Sequence, residues 1–201
     1  MALGRTNLEF PEVWLSLQGG GQDAAELVDA ALAAGAPLEV SSAPALWGGH
    51  GAGKAETVMA TGGRDLEQLR DPSRAPDLIG ARLIEVLSGL GRPTLDIFIW
   101  QYTGPLAESV VDEVFRALES AREEGLVRFL ALEPVGPPLA SLAMWQIRDG
   151  FELLIARDTP EHDPLLGRAA GCRVGVVTRD GTSGPRLVPV RSANDVRVAT
   201  G

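Results

Sequence analysis

Short runs of β-branched and aliphatic residues recur along this chain at regular intervals, separated by stretches whose apolar residues follow a helical period. This alternation constrains the fold more than any other feature, because strands separated by helices must pair in parallel, each helix carrying the chain back to the starting edge. Strands are predicted at 12–17, 38–42, 57–61, 95–100, 127–132, 151–156 and 174–178, and helices at 23–34, 76–90, 108–124, 139–147 and 163–170. The helix at 76–90 carries Leu78, Ile79, Leu83, Val86, Leu87 and Leu90 close to a 3.6-residue period and stops at Gly91, a residue suited to a helix C-terminus.

Two connections depart from the pattern. Between 43 and 56 stand Pro44, Gly48, Gly49, Gly51 and Gly53, so a loop is expected where a helix would cover the second strand. A last apolar run, 187–190, follows the seventh strand after only eight residues. A parallel crossover usually needs a dozen or more, so this strand is expected to run antiparallel or to lie outside the sheet.

At 201 residues and 45% apolar side chains, one domain spanning 1–201 is expected. The N-terminal residues lack the basic start and apolar stretch of a signal peptide, and no apolar run is long enough for a membrane span; a cytoplasmic protein is expected. A net charge of −9 with no basic tract disfavours nucleic acid and anionic membranes as partners. Cys172 is the single cysteine, which excludes an internal disulfide and any multi-cysteine metal site, and no metal ligand set is identified. Lys54 is the single lysine.

Several ordered phrases resemble the aldo-keto reductases: Leu-Gly-Arg-Thr-Asn-Leu-Glu at 3–9, Ala34-Gly35 followed by Ser-Ser-Ala-Pro-Ala at 41–45, Glu-Gly-Leu-Val-Arg at 124–128, and Val-Pro-Val-Arg-Ser at 188–192. The resemblance spans nearly the whole chain. It implies an α/β fold, a (β/α)8 TIM-type barrel with its site on the loops that follow the strands, here truncated, with helices missing after strands 2, 7 and 8. It also implies hydride transfer from a nicotinamide to a carbonyl, with a tyrosine as proton donor tuned by an aspartate, a lysine and a histidine. Those four positions fall on Leu46, Ser41, Gly62 and Gln101. Leucine cannot donate a proton, and no cation is placed to lower the pKa of a substitute hydroxyl. Tyr102, the single tyrosine, stands beside the histidine position and is the one candidate for a relocated acid.

For the cofactor, the resemblance implies that Arg191, Ser192 and Arg197 stand where the family holds the 2′-phosphate of NADP, a task suited to a forked guanidinium. The bland alternative is a solvated C-terminal tail. The nicotinamide-holding residues fall on Glu133, Pro134 and Ile155, a poor set for a carboxamide.

Gly-Gly-His-Gly-Ala-Gly-Lys at 48–54 imitates a phosphate-binding loop, but Ala55 stands where a metal-binding hydroxyl belongs, so a loop replacing a helix is the better reading. Gly19 to Gly21 reads as the first turn after a strand, His162 as part of a polar helix-capping loop, and Cys172 as a small buried hydrophobe. Trp14 and Trp100 read as core; Trp47 is expected to be exposed at the barrel mouth and Trp145 to sit on a helix face, where tryptophans favour interfaces. The reading that follows is a non-catalytic barrel serving as a structural or regulatory subunit, its uncovered flank buried against a second copy or another protein. The alternatives are an NADP-dependent oxidoreductase with rewired chemistry, and a sensor of a nucleotide or small ligand without turnover.

Overall fold

Eight strands close into a barrel in simple chain order, every neighbouring pair parallel, the last strand pairing with the first. The computed structural model describes residues 3–6, 9, 11–19, 21, 23–179, 181 and 184–201. The elements are β1 (Val13–Leu17), α1 (Ala24–Ala33), β2 (Leu38–Glu39), α2 (Pro44–Gly49), β3 (Val58–Gly62), α3 (Ala75–Leu90), β4 (Leu95–Tyr102), α4 (Glu108–Glu123), β5 (Val127–Pro134), α5 (Pro138–Ile147), β6 (Leu153–Ala156), α6 (Asp163–Cys172), β7 (Gly175–Thr178), β8 (Arg186–Val190) and α7 (Ala193–Thr200). Of the opening phrase, Gly4–Thr6 forms a 3₁₀ turn, while Asn7 and Leu8 lie outside the described residues, as does Gly20.

Strand alternation sorts the core into two shells. Trp14, Met59, Ile97, Ile99, Ala131, Leu153, Ile155, Val177 and Leu187 fill the barrel interior with Leu3, while alternate positions such as Leu15, Phe98, Trp100, Leu130 and Leu132 face the helices. All eight residues of β4 are buried, as expected of a strand covered on both faces. α4 turns Val110, Val111, Val114, Leu118 and Ala121 inward at helical spacing. α3 stops at Gly91, whose φ of 65° is left-handed and costs glycine little.

Three expectations are corrected. The last strand is neither antiparallel nor outside the barrel: β8 runs parallel to both neighbours. A short link suffices because its first residue, Arg186, pairs with the last residue of β7, Thr178, so the chain returns at the height it left instead of traversing a strand. The rest of β8 pairs with β1 from Val13↔Arg186 to Leu17↔Val190, and this displacement is part of the stagger that a closed barrel requires. Helices also follow strands 2 and 8. The six-residue α2 starts with Pro44 at its first position, where its missing N–H costs nothing, and the eight-residue α7 starts on a capping box. After strand 7 the described residues include no helix.

α2 lies close against the end of α3. A Cβ on Gly48 would stand 1.9 Å from the Gly89 carbonyl oxygen, one on Gly53 2.3 Å from the Leu90 carbonyl oxygen, and one on Gly89 2.8 Å from the Ala45 nitrogen. Gly48 and Gly53 therefore serve backbone-to-backbone packing against the end of α3. Arg92, just past α3, donates to the Gly53 and Ala55 carbonyls and to the buried carboxylate of Asp96 on β4, 2.9 Å away. Asp96 also accepts from the Val58 backbone N–H at 2.9 Å and from Arg128 at 3.0 Å.

All four tryptophans are fully buried, which corrects the exposure expected of Trp47. Its indole N–H donates to Ser42 Oγ at 3.1 Å, and its ring belongs to the shell between strands and helices. Cys172 is half-buried at the end of α6, where it packs against the same shell.

Candidate functional site

The C-terminal ends of the strands surround a cavity of about 880 Å³. Inward-facing positions that are aliphatic lower in the barrel become polar here: Gln18 after β1, Glu39 on β2, Thr61 on β3, Gln101 on β4, Glu133 on β5 and Arg179 after β7 all line it. Arg64, Arg157, Glu161 and His162 contribute from the loops.

Two hydrogen-bonded groups organise this layer. Gln101 and Glu133 are register partners on adjacent strands, and the Gln101 amide donates to Glu133 Oε2 at 2.7 Å. The other oxygen, Oε1, accepts from the Arg179 guanidinium, so an ion pair links the ends of β5 and β7 across the mouth. On the opposite side, Glu39 is 3% exposed. Its Oε2 accepts from Ser16 Oγ at 2.5 Å and its Oε1 from the Ser41 backbone N–H at 2.7 Å; Gln18 in turn donates to Ser16 Oγ at 2.8 Å.

The positions of the expected proton relay can now be placed. Ser41 lines the cavity, its hydroxyl accepting from the Thr61 N–H at 2.6 Å. Gln101 also lines it but is held by Glu133. Leu46 lies on α2 with its side chain packed on the outer shell, and Gly62 ends β3 with no side chain to offer. The structure does not bring Tyr102 to this group. As an even-numbered residue of β4 it faces outward, 3% exposed, edge-on to Trp100 at 5.6 Å, with its hydroxyl 3.4 Å from the Leu106 N–H. The Arg82 guanidinium reaches the strand ends from α3, but it donates to the Thr61 and Ser41 carbonyls and to Glu85.

The candidate phosphate residues stand at the β8–α7 junction. Ser192 is the N-cap of α7, its Oγ accepting from the Asp195 N–H at 3.2 Å. The Asp195 carboxylate in turn accepts from the Arg191 and Ser192 backbone N–H groups at 2.8 and 3.1 Å. Those donors, which could have met an anion, are occupied by a carboxylate of the chain itself. Arg191, just before the N-cap, and Arg197, in the last turn of α7, are both exposed. At the other end of such a cofactor, Glu133 is engaged by Arg179 and Gln101, Pro134 has no N–H, and Ile155 is apolar. The residues present do not fit a dinucleotide held as the resemblance implies.

The Arg191 N–H, followed by the Ser192 hydroxyl and N–H, holds the Asp195 carboxyl below the usual aspartate range. A depressed folded-state pKa contributes stability above the unfolded value that is lost as pH falls through the folded one. Hydrogen-exchange protection of the α7 amides should therefore persist at pH 5 and fade only below about pH 4, whereas Ser192→Ala should weaken α7 at neutral pH by about 1 kcal/mol.

Sequence reasoning passed over Glu39 and Arg179. The available signal for Glu39 was an acid between Leu38 and Val40 in a strand otherwise aliphatic; Arg179 lies one residue beyond a strand and gave none. His162 is buried at the cavity wall, its Nδ1 3.0 Å from Thr159 Oγ1, at the N-cap of α6. No group of three or more potential metal ligands is found among the described residues.

No protein-family model and no curated protein sequence matches the chain. Solved structures do. The holo form of aldo-keto reductase AKR11C1 from Bacillus halodurans superposes with a TM-score of 0.76 at 14% identity, over 100% of this chain and 89% of that one. PA4992 from Pseudomonas aeruginosa gives 0.76 at 15% identity, over 98% and 91%. MGS-M4, an aldo-keto reductase from a Medee basin deep-sea metagenome library, gives 0.67 at 14% identity, over 89% and 65%. The chain has the aldo-keto reductase fold.

Proposed function

We propose that this barrel of aldo-keto reductase type does not reduce carbonyls and acts as a regulatory or structural subunit. Two things support the reading: the positions that the resemblance implies for the proton relay fall on Ser41, Leu46, Gly62 and Gln101, and the single tyrosine faces the helices. Moving a proton to a carbonyl oxygen needs a donor of suitable pKa within hydrogen-bond reach, and a fold shared with reductases does not supply one. Incubated with NADPH or NADH and a panel of aldehydes and ketones, the chain is expected to oxidise no nicotinamide above the uncatalysed rate. Turnover abolished by Glu133→Gln or Arg179→Ala would overturn the reading.

As a subunit, the chain is proposed to assemble with a second copy or with a different protein. Ile84, Leu139, Ile147 and Val198 are more than half exposed, and Val176 and Val188 on the outer face of β7 and β8 are only half-buried, where no helix follows β7 among the described residues. Sedimentation of the purified chain, and of the chain isolated natively, reports the assembly; a lone monomer in both contradicts it.

A second reading, an NADP-dependent oxidoreductase with relocated acid–base groups, is favoured by the likeness to structures of named aldo-keto reductases. It predicts turnover in the same assay.

A further inference from the structure

Glu39 poses a problem that no contact so far described solves. Its carboxylate is 3% exposed, at the wall of a large cavity, and among the described residues no cationic side chain lies within ion-pair distance. Glu133, the other deep acid of the mouth, has its counter-charge in Arg179. Asp96, the other deeply buried acid, has two, Arg92 and Arg128. Glu39 has only two neutral donors, the Ser16 hydroxyl and the Ser41 N–H. A buried carboxylate so placed is costly to the folded state. Carboxylate oxygens offer about four acceptor sites, two of which are used here. Groups kept at a cost to stability are concentrated at sites of function.

Around it the cavity is hydrogen-bonding: Ser41, Thr61 and Gln18 line it, as does Gln101 from the opposite side. At the rim, the exposed Arg64 and Arg157 bring positive charge, with Glu161 as the one acid among the rim groups named above. The cavity thus carries at Glu39 a carboxylate without a counter-charge among the described residues, and at Arg64 and Arg157 two exposed guanidinium groups.

We infer that the mouth is a binding site for a small zwitterion, a molecule whose primary ammonium group meets Glu39 and whose anionic end meets Arg64 and Arg157. An ammonium has three donors and a full charge, so it would satisfy the remaining acceptor sites of Glu39 and supply the missing counter-ion. The inference rests on the mouth holding no nicotinamide. Hydride transfer in the reductase assay sinks that reading; a silent reductase assay together with a silent ligand titration sinks this inference alone.

The test uses the full chain and three matched probes, 6-aminohexanoate, hexanoate and hexylamine, titrated by calorimetry. 6-Aminohexanoate is expected to bind more tightly than either probe lacking one charge. Glu39→Gln, which keeps an acceptor for the Ser41 N–H, should weaken it by at least about tenfold, the equivalent of one lost charge-assisted contact. Glu113→Gln, on the outer helix α4 away from the cavity, should leave it bound. A second readout needs no ligand: thermal unfolding of unliganded Glu39→Gln should shift upward by several degrees, because a buried charge without a counter-ion has been removed. Equal binding of hexanoate, unchanged binding in Glu39→Gln, no binding at millimolar probe, or a lower unfolding temperature for Glu39→Gln would each overturn the inference.

Discussion

Gly48→Ala is expected to destabilise this chain by about 3 kcal/mol, at the upper end of what overpacking costs. For a domain of this length that corresponds to roughly 10 °C in the unfolding midpoint. Intrinsic propensity predicts the opposite sign: Gly48 lies in α2 without a positive φ, and alanine is favoured over glycine inside a helix by about 1 kcal/mol. Packing wins because the new Cβ would stand 1.9 Å from the Gly89 carbonyl oxygen, a backbone atom that cannot rotate away. Gly49→Ala is the control. It lies in the same helix with nothing within 4 Å of its Cβ, and should be neutral or slightly stabilising. Thermal melts of the two variants decide the matter; a Gly48→Ala chain as stable as the parent would mean that α2 does not rest on α3 as described.

Asp96→Ala should cost about 3–5 kcal/mol, the range found when one partner is removed from a buried ion pair. The loss has two parts. The Val58 N–H is left buried without its acceptor, and Arg92 and Arg128 lose the carboxylate that neutralises them. Arg128 is half exposed, so water screens its share, and most of the effect comes from Arg92 and the orphaned N–H. Asp96→Asn keeps an acceptor and should lose roughly half as much. Chemical denaturation with an unchanged m-value would report these differences as stability alone. Equal losses in the two variants would show that the N–H contact contributes nothing.

The parallel barrel was legible in the sequence because its signal is periodic and local: the aliphatic run of β4 and the amphipathic face of α4 each declare themselves within one element. What failed to show was long-range. That Gly48 and Gly89, 41 positions apart in sequence, meet backbone to backbone cannot be inferred from either segment, so a glycine-rich stretch that reads as a loop becomes a helix packed at close range. The direction of β8 was misjudged for a related reason. Crossover length was weighed as though strands start level, whereas the barrel's stagger sets Arg186 beside Thr178.

At the candidate site, the positions that the resemblance implies for the relay were readable one by one, and of these Ser41 and Gln101 do line the mouth. The sequence could not tell which way Tyr102 points, since adjacent strand residues face opposite sides and a shift of one exchanges them. Nor could it pair Glu133 with Arg179, or show that no cation among the described residues meets Glu39, because those relations exist only once strands 2, 5 and 7 are brought around one axis. Arg191 and Ser192 matched the phosphate positions by residue type. Their backbone N–H groups are nonetheless occupied by Asp195, three and four residues away.

Calorimetric titration of the intact chain with NADPH tests the central claim most directly, because it asks whether the mouth takes the cofactor at all, apart from any choice of substrate. With Glu133 committed to Arg179, and Asp195 occupying the N–H groups at the start of α7, no binding heat is expected up to millimolar NADPH. Micromolar binding that is lost in Arg191→Ala would contradict the account and return the chain to the nicotinamide-dependent enzymes.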